Sequence, residues 1–144
     1  MATKNWNPKK AVLAITGIGQ VVGYATGTMI ETARDEDSFT KEHGAQGDAV
    51  RIANANRGGK ITFYLQNQSP TNDLLQALLT LDELTGLGVR SASIVDLNGT
   101  LVVSAQECWI MKPADVSLAG GEAGVREWVL DCSAINYKGG GALL

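Results

Sequence analysis

Apolar and polar positions along the chain alternate more often than they recur at helical spacing, which predicts a protein built mainly of strands. The clearest is residues 60–66, where Ile61, Phe63 and Leu65 face one way and Lys60, Thr62, Tyr64 and Gln66 the other. Residues 11–16 are apolar and β-branched, a second strand candidate. Gly17, Gly19, Gly23 and Gly27 recur through the next segment. Each glycine inside a helix costs about 1 kcal/mol relative to alanine, so this stretch reads as turns and a bent strand. Residues 27–33 alternate, with Met29 and Glu31 opposite Thr28, Ile30 and Thr32, and residues 48–53 give a short strand. Asn98-Gly99, the strongest short hairpin signal, lies between residues 91–98 and 100–111. In the second arm Leu101, Val103 and Ala105 oppose Thr100, Ser104 and Gln106, and the parity slips near Glu107, which predicts a bulge. Residues 125–137 form a long last strand.

Helical spacing is confined to one segment. Ser69-Pro70-Thr71-Asn72-Asp73 is a start signal, with proline in the first turn and Asp73 near the positive end of the helix dipole. Leu84, Ala77, Leu81, Leu74, Leu78, Leu75 and Leu79 then span an arc of about 220°, against about 100° for an ordinary surface helix. One helix on one sheet does not use that width, so Leu75 and Leu79 are expected to meet a second layer or a partner subunit. Gly86 and Gly88 end the helix.

Between the early strands lies a charged excursion, residues 34–47, with Arg34, Asp35, Glu36, Asp37, Lys41 and Glu42 around a single aromatic, Phe39. Loops longer than about 12–15 residues usually have a function or are disordered. It reads as an extended hairpin or loop. The whole pattern predicts one mainly β domain over 1–144, an antiparallel barrel or sandwich with one flanking helix and a long charged loop. Residues 1–10 form a polar arm and 138–144 a glycine-rich tail.

Composition narrows the function. The 144 residues are 44% hydrophobic, enough for one core, and only 19% charged, below the roughly 25% usual in soluble domains. A small protein with few charges is expected to cover part of its surface with copies of itself. The net charge of −3, with scattered cations, argues against gripping duplex DNA, which needs clustered Lys and Arg. Cys108 and Cys132 lie in apolar strand-like stretches and read as buried free thiols in a reducing compartment, the alternative being a bridge between neighbouring strands. No apolar run approaches the roughly 18 residues of a membrane span, and the polar start has no signal-peptide core, so assembly in the cytoplasm is expected.

Candidate chemistry is sparse. Gly17-Ile18-Gly19-Gln20-Val21-Val22-Gly23 follows a strand as a dinucleotide-binding turn would, but it has one residue too many and no helix follows. His43, the single histidine, sits in a polar loop, and with two cysteines it does not make a standard zinc set. Asp35-Glu36-Asp37 lacks the alternating ligands and glycine of a calcium loop. Trp109 and Trp128 read as core aromatics. The expectation is no catalytic residue, no metal and no cofactor.

The segment Gly59-Lys60-Ile61-Thr62-Phe63-Tyr64-Leu65-Gln66-Asn67-Gln68-Ser69-Pro70-Thr71-Asn72-Asp73-Leu74-Leu75 resembles tail tube proteins of contractile-tailed phages. In those families a strand of the form G-x-(I/V)-T-(F/V)-x-L ends in a polar turn, and S-P-x-N-x-x-L opens the helix. The order of elements is similar over residues 11–137. The resemblance implies a fold shared with tubes of type VI secretion and of contractile bacteriocins. Subunits would form hexameric rings stacked around a lumen inside a contractile sheath, with a baseplate and a tape-measure protein as partners. DNA would pass without specific binding, no membrane would be involved, and the protein would reside in the virion tail.

In this picture Arg34, Asp35, Glu36, Asp37, Phe39, Lys41 and Glu42 form the arm that reaches the adjacent ring. Leu75 and Leu79 contact a neighbouring subunit, and Lys60, Thr62, Gln66, Ser104 and Gln106 are candidates to face the lumen. Two other classes stand beside it. A monomeric β-sandwich binding module would use residues 34–47 as a ligand loop, and a small nucleotide-dependent enzyme would use the turn at residues 17–23.

Overall fold

A computed structural model describes residues 3–121 and 124–144, so the first two residues of the arm and two residues of the glycine-rich connection before the last strand lie outside the described residues. A 3-10 turn at Pro8–Lys10 leads into β1 (Ala11–Ile15) and β2 (Gly19–Gln20). Then follow β3 (Ile30–Arg34), β4 (Phe39–His43), β5 (Ala49–Ala53), β6 (Gly59–Gln66), α1 (Thr71–Thr85), β7 (Arg90–Asp96), β8 (Val102–Ile110), β9 (Val125–Cys132) and β10 (Asn136–Lys138). The main sheet runs β2-β1-β7-β8-β9-β6-β3, with β10 beside β8, and β4–β5 form a separate two-stranded sheet. All pairings are antiparallel. The sheet is not closed. The chain between its end strands partly covers the gap, because Gln66 donates to the Gly23 carbonyl (2.8 Å) and Ala25 to that of Tyr64 (3.0 Å).

Strand alternation decides what is buried. Ile61, Phe63 and Leu65 of β6 are at most 1% exposed, and Trp128 and Leu130 of β9, Val103 and Ala105 of β8, Ile94 of β7 and Leu13 of β1 join them. Each of the Val, Leu, Ile and Phe side chains among them contributes about 1.5–3 kcal/mol of transfer free energy. The second layer is α1. Leu75 is fully buried and Leu79 4% exposed, both inside this chain's own core. That corrects their expected role at a neighbouring subunit, because the sheet takes this end of the leucine arc. The other end is left in solvent: Leu74 is 50% exposed, Leu81 41% and Leu84 79%. The helix stops at Gly86 in the left-handed region (φ 72°), whose N–H bonds the Asp82 carbonyl at 2.8 Å.

The expected bulge is present. Arg90 pairs Cys108 while Ala92 pairs Ala105, so β8 carries one extra residue, and Gln106 and Glu107 are both exposed. The long last strand is interrupted. β9 and β10 follow β8 in one register (Cys108↔Cys132, Ser104↔Asn136) but part from it at residues 134–135, opposite the bulge, where Ile135 N–H turns to the Arg57 carbonyl. The β7–β8 connection is wider than a two-residue turn, closed by Asp96 N–H to the Leu101 carbonyl at 3.1 Å. Its width is explained by what docks there. The Asn98 side chain, 7% exposed, exchanges bonds with the Asn7 backbone at 2.8 and 2.9 Å. Thr100 donates to the Ala142 carbonyl and Leu144 to that of Asn98. A Cβ on Gly99 would collide with the Ala142 carbonyl. The N-terminal arm and the C-terminal tail therefore meet on one turn.

The charged excursion is longer than its sequence suggested. Residues 48–53, expected as a short strand, supply β5, the returning half of the β4–β5 hairpin, and every residue of β4 and β5 is exposed. Alternation was present, but Val50 and Ile52 have no layer of this chain to pack against.

Candidate functional site

Three surfaces carry side chains that the fold itself does not use. The first is the β4–β5 hairpin. Its pairs are Phe39↔Ala53, Thr40↔Ile52, Lys41↔Arg51, Glu42↔Val50 and His43↔Ala49. Directly opposed residues share a face. One face therefore shows Phe39, Lys41, His43 and Arg51, with the Arg51 guanidinium 4.2 Å from the Phe39 ring centre. The other shows Glu42 and Thr40 beside Val50 and Ile52, which are 61% and 45% exposed. Arg34 stands at the root rather than on the arm. Its Nε and Nη2 donate to the Ile135 carbonyl at 3.1 and 2.7 Å, and its guanidinium lies 5.5 Å from the Tyr137 ring centre. Glu36 accepts from Asn54 at 2.6 Å, tying the two legs, while Asp35 and Asp37 are exposed.

The second surface is the side of the main sheet opposite the core. Lys60, Thr62 and Gln66 lie on it, as does Ser104, and Gln106 is exposed at the bulge. Register adds residues the sequence reading missed. Asp131 is opposite Lys60, Glu127 opposite Tyr64, and Glu31 opposite Thr62. Three carboxylates against one lysine make this part of the face acidic. Toward β1 and β7 it becomes a shallow groove of small residues, Ala14, Thr16, Ser91, Ser93 and Ser104. Parity within β9 was visible in the sequence, but cross-strand register was not. The third surface is the apolar ridge of α1, Leu74, Leu81 and Leu84, continued by Leu87 at 68% exposure.

The Ser69-Pro70-Thr71-Asn72 turn is a junction of four elements rather than a simple helix cap. Pro70 occupies the cap position with no side-chain bond. The Ser69 hydroxyl donates to the Val22 carbonyl at 2.6 Å, and Val22 N–H donates to the Thr71 hydroxyl at 3.3 Å. Asn72 donates to the carbonyls of Gln66 (2.9 Å) and Asn67 (3.2 Å), and accepts the Trp128 indole N–H at 3.0 Å. Gly23 (φ 80°) passes so close that a Cβ there would sit 2.6 Å from the Ser69 hydroxyl. The spacing of these residues follows from what they join.

Among the described residues no three His, Cys, Asp or Glu side chains gather as a metal site. His43 is exposed on β4. The glycine turn at residues 17–23 returns the chain against β1, with Ile18 N–H on the Ile15 carbonyl and Val21 N–H on that of Leu13, and no helix follows to hold a phosphate. No helix is long and apolar enough to cross a membrane among the described residues.

Against known proteins, the family described as Bacteriophage PhiTE tail tube protein matches residues 1–140. The chain is similar to structural protein ORF10 of Pseudomonas phage KPP10, 26% identical over 146 residues that cover 96% of this chain and 84% of the relative. In solved structures its fold is similar to a chain of the anti-feeding prophage cap, which terminates that tube (TM-score 0.65, 9% identity, 99% and 95% of the two chains covered). It is also similar to a chain of the PVC extracellular contractile injection system sheath–tube complex in the extended state (0.64, 7%, 92% and 90%). A third likeness is to a chain of the virion of a native gene transfer agent particle (0.61, 11%, 94% and 100%). At these identities the structural likeness establishes the fold.

Proposed function

The chain belongs to the bacteriophage PhiTE tail tube protein family, and on that premise we propose that it builds the tube as stacked hexameric rings around a lumen. It is a structural subunit of the tail. The rings close through heterologous contacts, in which one surface of each subunit meets a different surface of the next. The observation that carries this reading is the β4–β5 hairpin. Every residue of both strands is exposed, with Phe39, Val50 and Ile52 in solvent. A lone two-stranded hairpin is marginal in water. It gains stability by lying on another subunit. Asp35, Glu36, Asp37, Lys41 and Glu42 set its register on the adjacent ring more than its affinity.

The polar side of the sheet lines the lumen in this arrangement. Lys60, Thr62, Gln66, Ser104 and Gln106 are joined there by Glu31, Glu127 and Asp131. An acidic wall repels a polyanion that must slide through. DNA and a tape-measure protein pass without specific binding. The exposed ridge of α1 then faces outward, toward a contractile sheath, and the tube ends on a baseplate. Assembly takes place in the host cytoplasm.

The test is negative-stain electron microscopy of the purified protein at high concentration, beside light scattering on a sizing column. Rings or hollow rods are expected. A monodisperse monomer at every concentration would reject self-assembly and favour a binding module that uses the hairpin as its ligand loop.

A further inference from the structure

Cys108 and Cys132 face each other across β8 and β9, with their Sγ atoms 3.0 Å apart and each residue at most 2% exposed. The ladder on either side fixes the kind of pair. Ser133 N–H bonds the Glu107 carbonyl and Met111 N–H that of Val129, so residues 107/133 and 111/129 are the hydrogen-bonded pairs. The cysteines fall on the alternate, non-hydrogen-bonded position, where Cα atoms approach to about 4.5 Å and side chains are closest. A disulfide needs Cα atoms roughly 4.4–6.8 Å apart. The usual spacing of a non-hydrogen-bonded pair falls within that range. Both sulfurs also lie near faults in the ladder, Cys108 next to the bulge at Gln106–Glu107 and Cys132 two residues before the break at residues 134–135.

We propose that Cys108 and Cys132 are a modification site, a dithiol that closes to an intrachain disulfide when a hydroperoxide reaches it. Cys108 gives up its proton and the thiolate attacks one oxygen of hydrogen peroxide; the O–O bond breaks, Cys108 becomes a sulfenic acid, and the departing hydroxide takes up that proton as water. The Cys132 sulfur then attacks the Cys108 sulfur, the S–S bond forms, and the hydroxyl leaves as water with the Cys132 proton. Two thiols are oxidised and one peroxide is reduced to two waters. The hydrogen bond shared by the two sulfurs pulls the Cys108 thiol below its ordinary value, and the same bond, with burial, pushes Cys132 up. Cys108 directly follows Gln106 and Glu107, both exposed at the bulge, so it is assigned as the attacking thiol and Cys132 as the resolving one. The bridge would clamp β8 to β9 beside the bulge in a chain that, on the tail tube reading, leaves the reducing cytoplasm in a virion. The chemistry itself needs only the pair.

The experiment is to treat the folded, unassembled chain with hydrogen peroxide, quench it, and measure intact mass and proteolytic peptides without reductant. The expected product is a monomer lighter by two hydrogens, with the Cys108 and Cys132 peptides joined, reversed by dithiothreitol, and with a midpoint of thermal unfolding raised by roughly 5–10 °C. Cys132→Ser should stop at the sulfenic acid, trapped by dimedone on Cys108. Sulfinic products in the wild-type chain, disulfide-linked dimers, or two thiols that both stay alkylatable after unfolding would each overturn the proposal. None of these outcomes depends on whether rings form.

Discussion

Asn72→Ala should cost more stability than its half-buried position suggests. Asn72 is the acceptor for the indole N–H of Trp128, a residue only 2% exposed, at 3.0 Å. Removing it leaves a buried donor unpaired, which costs about 1–3 kcal/mol. Its two bonds to the carbonyls of Gln66 and Asn67 add less, because at least one lies in reach of water. The expected loss is about 2–4 kcal/mol. A double-mutant cycle isolates the indole bond. Trp128→Phe removes the donor and also some packing, and that packing loss cancels in the cycle. The double variant should be less destabilised than the sum of the singles by about 1–2 kcal/mol. The assay is urea unfolding of the unassembled subunit followed by circular dichroism, with the denaturant slope unchanged. Additivity within about 0.5 kcal/mol would show that the two residues are independent and that the junction is held by something else.

The helix offers a paired test, since Leu75→Ala should cost about 2–5 kcal/mol in the isolated subunit while Leu84→Ala stays within about 0.5 kcal/mol; equal effects in urea unfolding would mean the buried end of the leucine arc is misplaced. Changing Asp35, Glu36 and Asp37 together to lysine should leave a folded subunit that makes shorter tubes, and unchanged tube length by electron microscopy would remove the arm from the stacking contact. Tyr24 gives a pH signature. Its hydroxyl is enclosed without a well-placed hydrogen-bond partner, and burial, partly offset by the Leu13 backbone, pushes the phenol up to about 12. The unfolded chain releases that proton first, near 10, so stability present below pH 10 is lost as pH rises toward 12. Tyr24→Phe should flatten that slope in denaturation curves at pH 9 and 11, and an unchanged slope would locate the titration elsewhere.

The parts legible in the sequence are those whose partners lie in the same chain and close at hand. Alternation placed Ile61, Phe63 and Leu65 on the core side because a strand's pleat leaves no other choice once one face is buried. The parity slip at Glu107 marked the bulge for the same reason. The leucine arc of α1 revealed its width but not its orientation, because docking on the sheet decides which end is covered, and Leu75 and Leu79 took that place. Val50 and Ile52 alternate as well as any core strand, yet they sit on the hairpin in solvent, since periodicity records which residues share a face and not what the face meets. Asn98-Gly99 marked a hairpin, but long-range docking of Asn7 and Ala142 widened its turn.

Those failures point in one direction. Leu84 at 79% exposure, Val50 at 61% and Phe39 at 52% are apolar groups the fold does not need, and they lie on separate elements. α1 covers the core side of the sheet, so its exposed ridge looks away from the face carrying Glu31, Glu127 and Asp131. The β4–β5 hairpin forms a sheet of its own, outside both. A binding module for one ligand would concentrate such residues at one site. In the proposed arrangement a subunit meets a neighbour in its ring, the ring beyond it and a sheath, and such contacts need apolar groups spread over separate elements with one polar face left over. The distribution of unused surface, more than any single residue, is what a tube subunit requires.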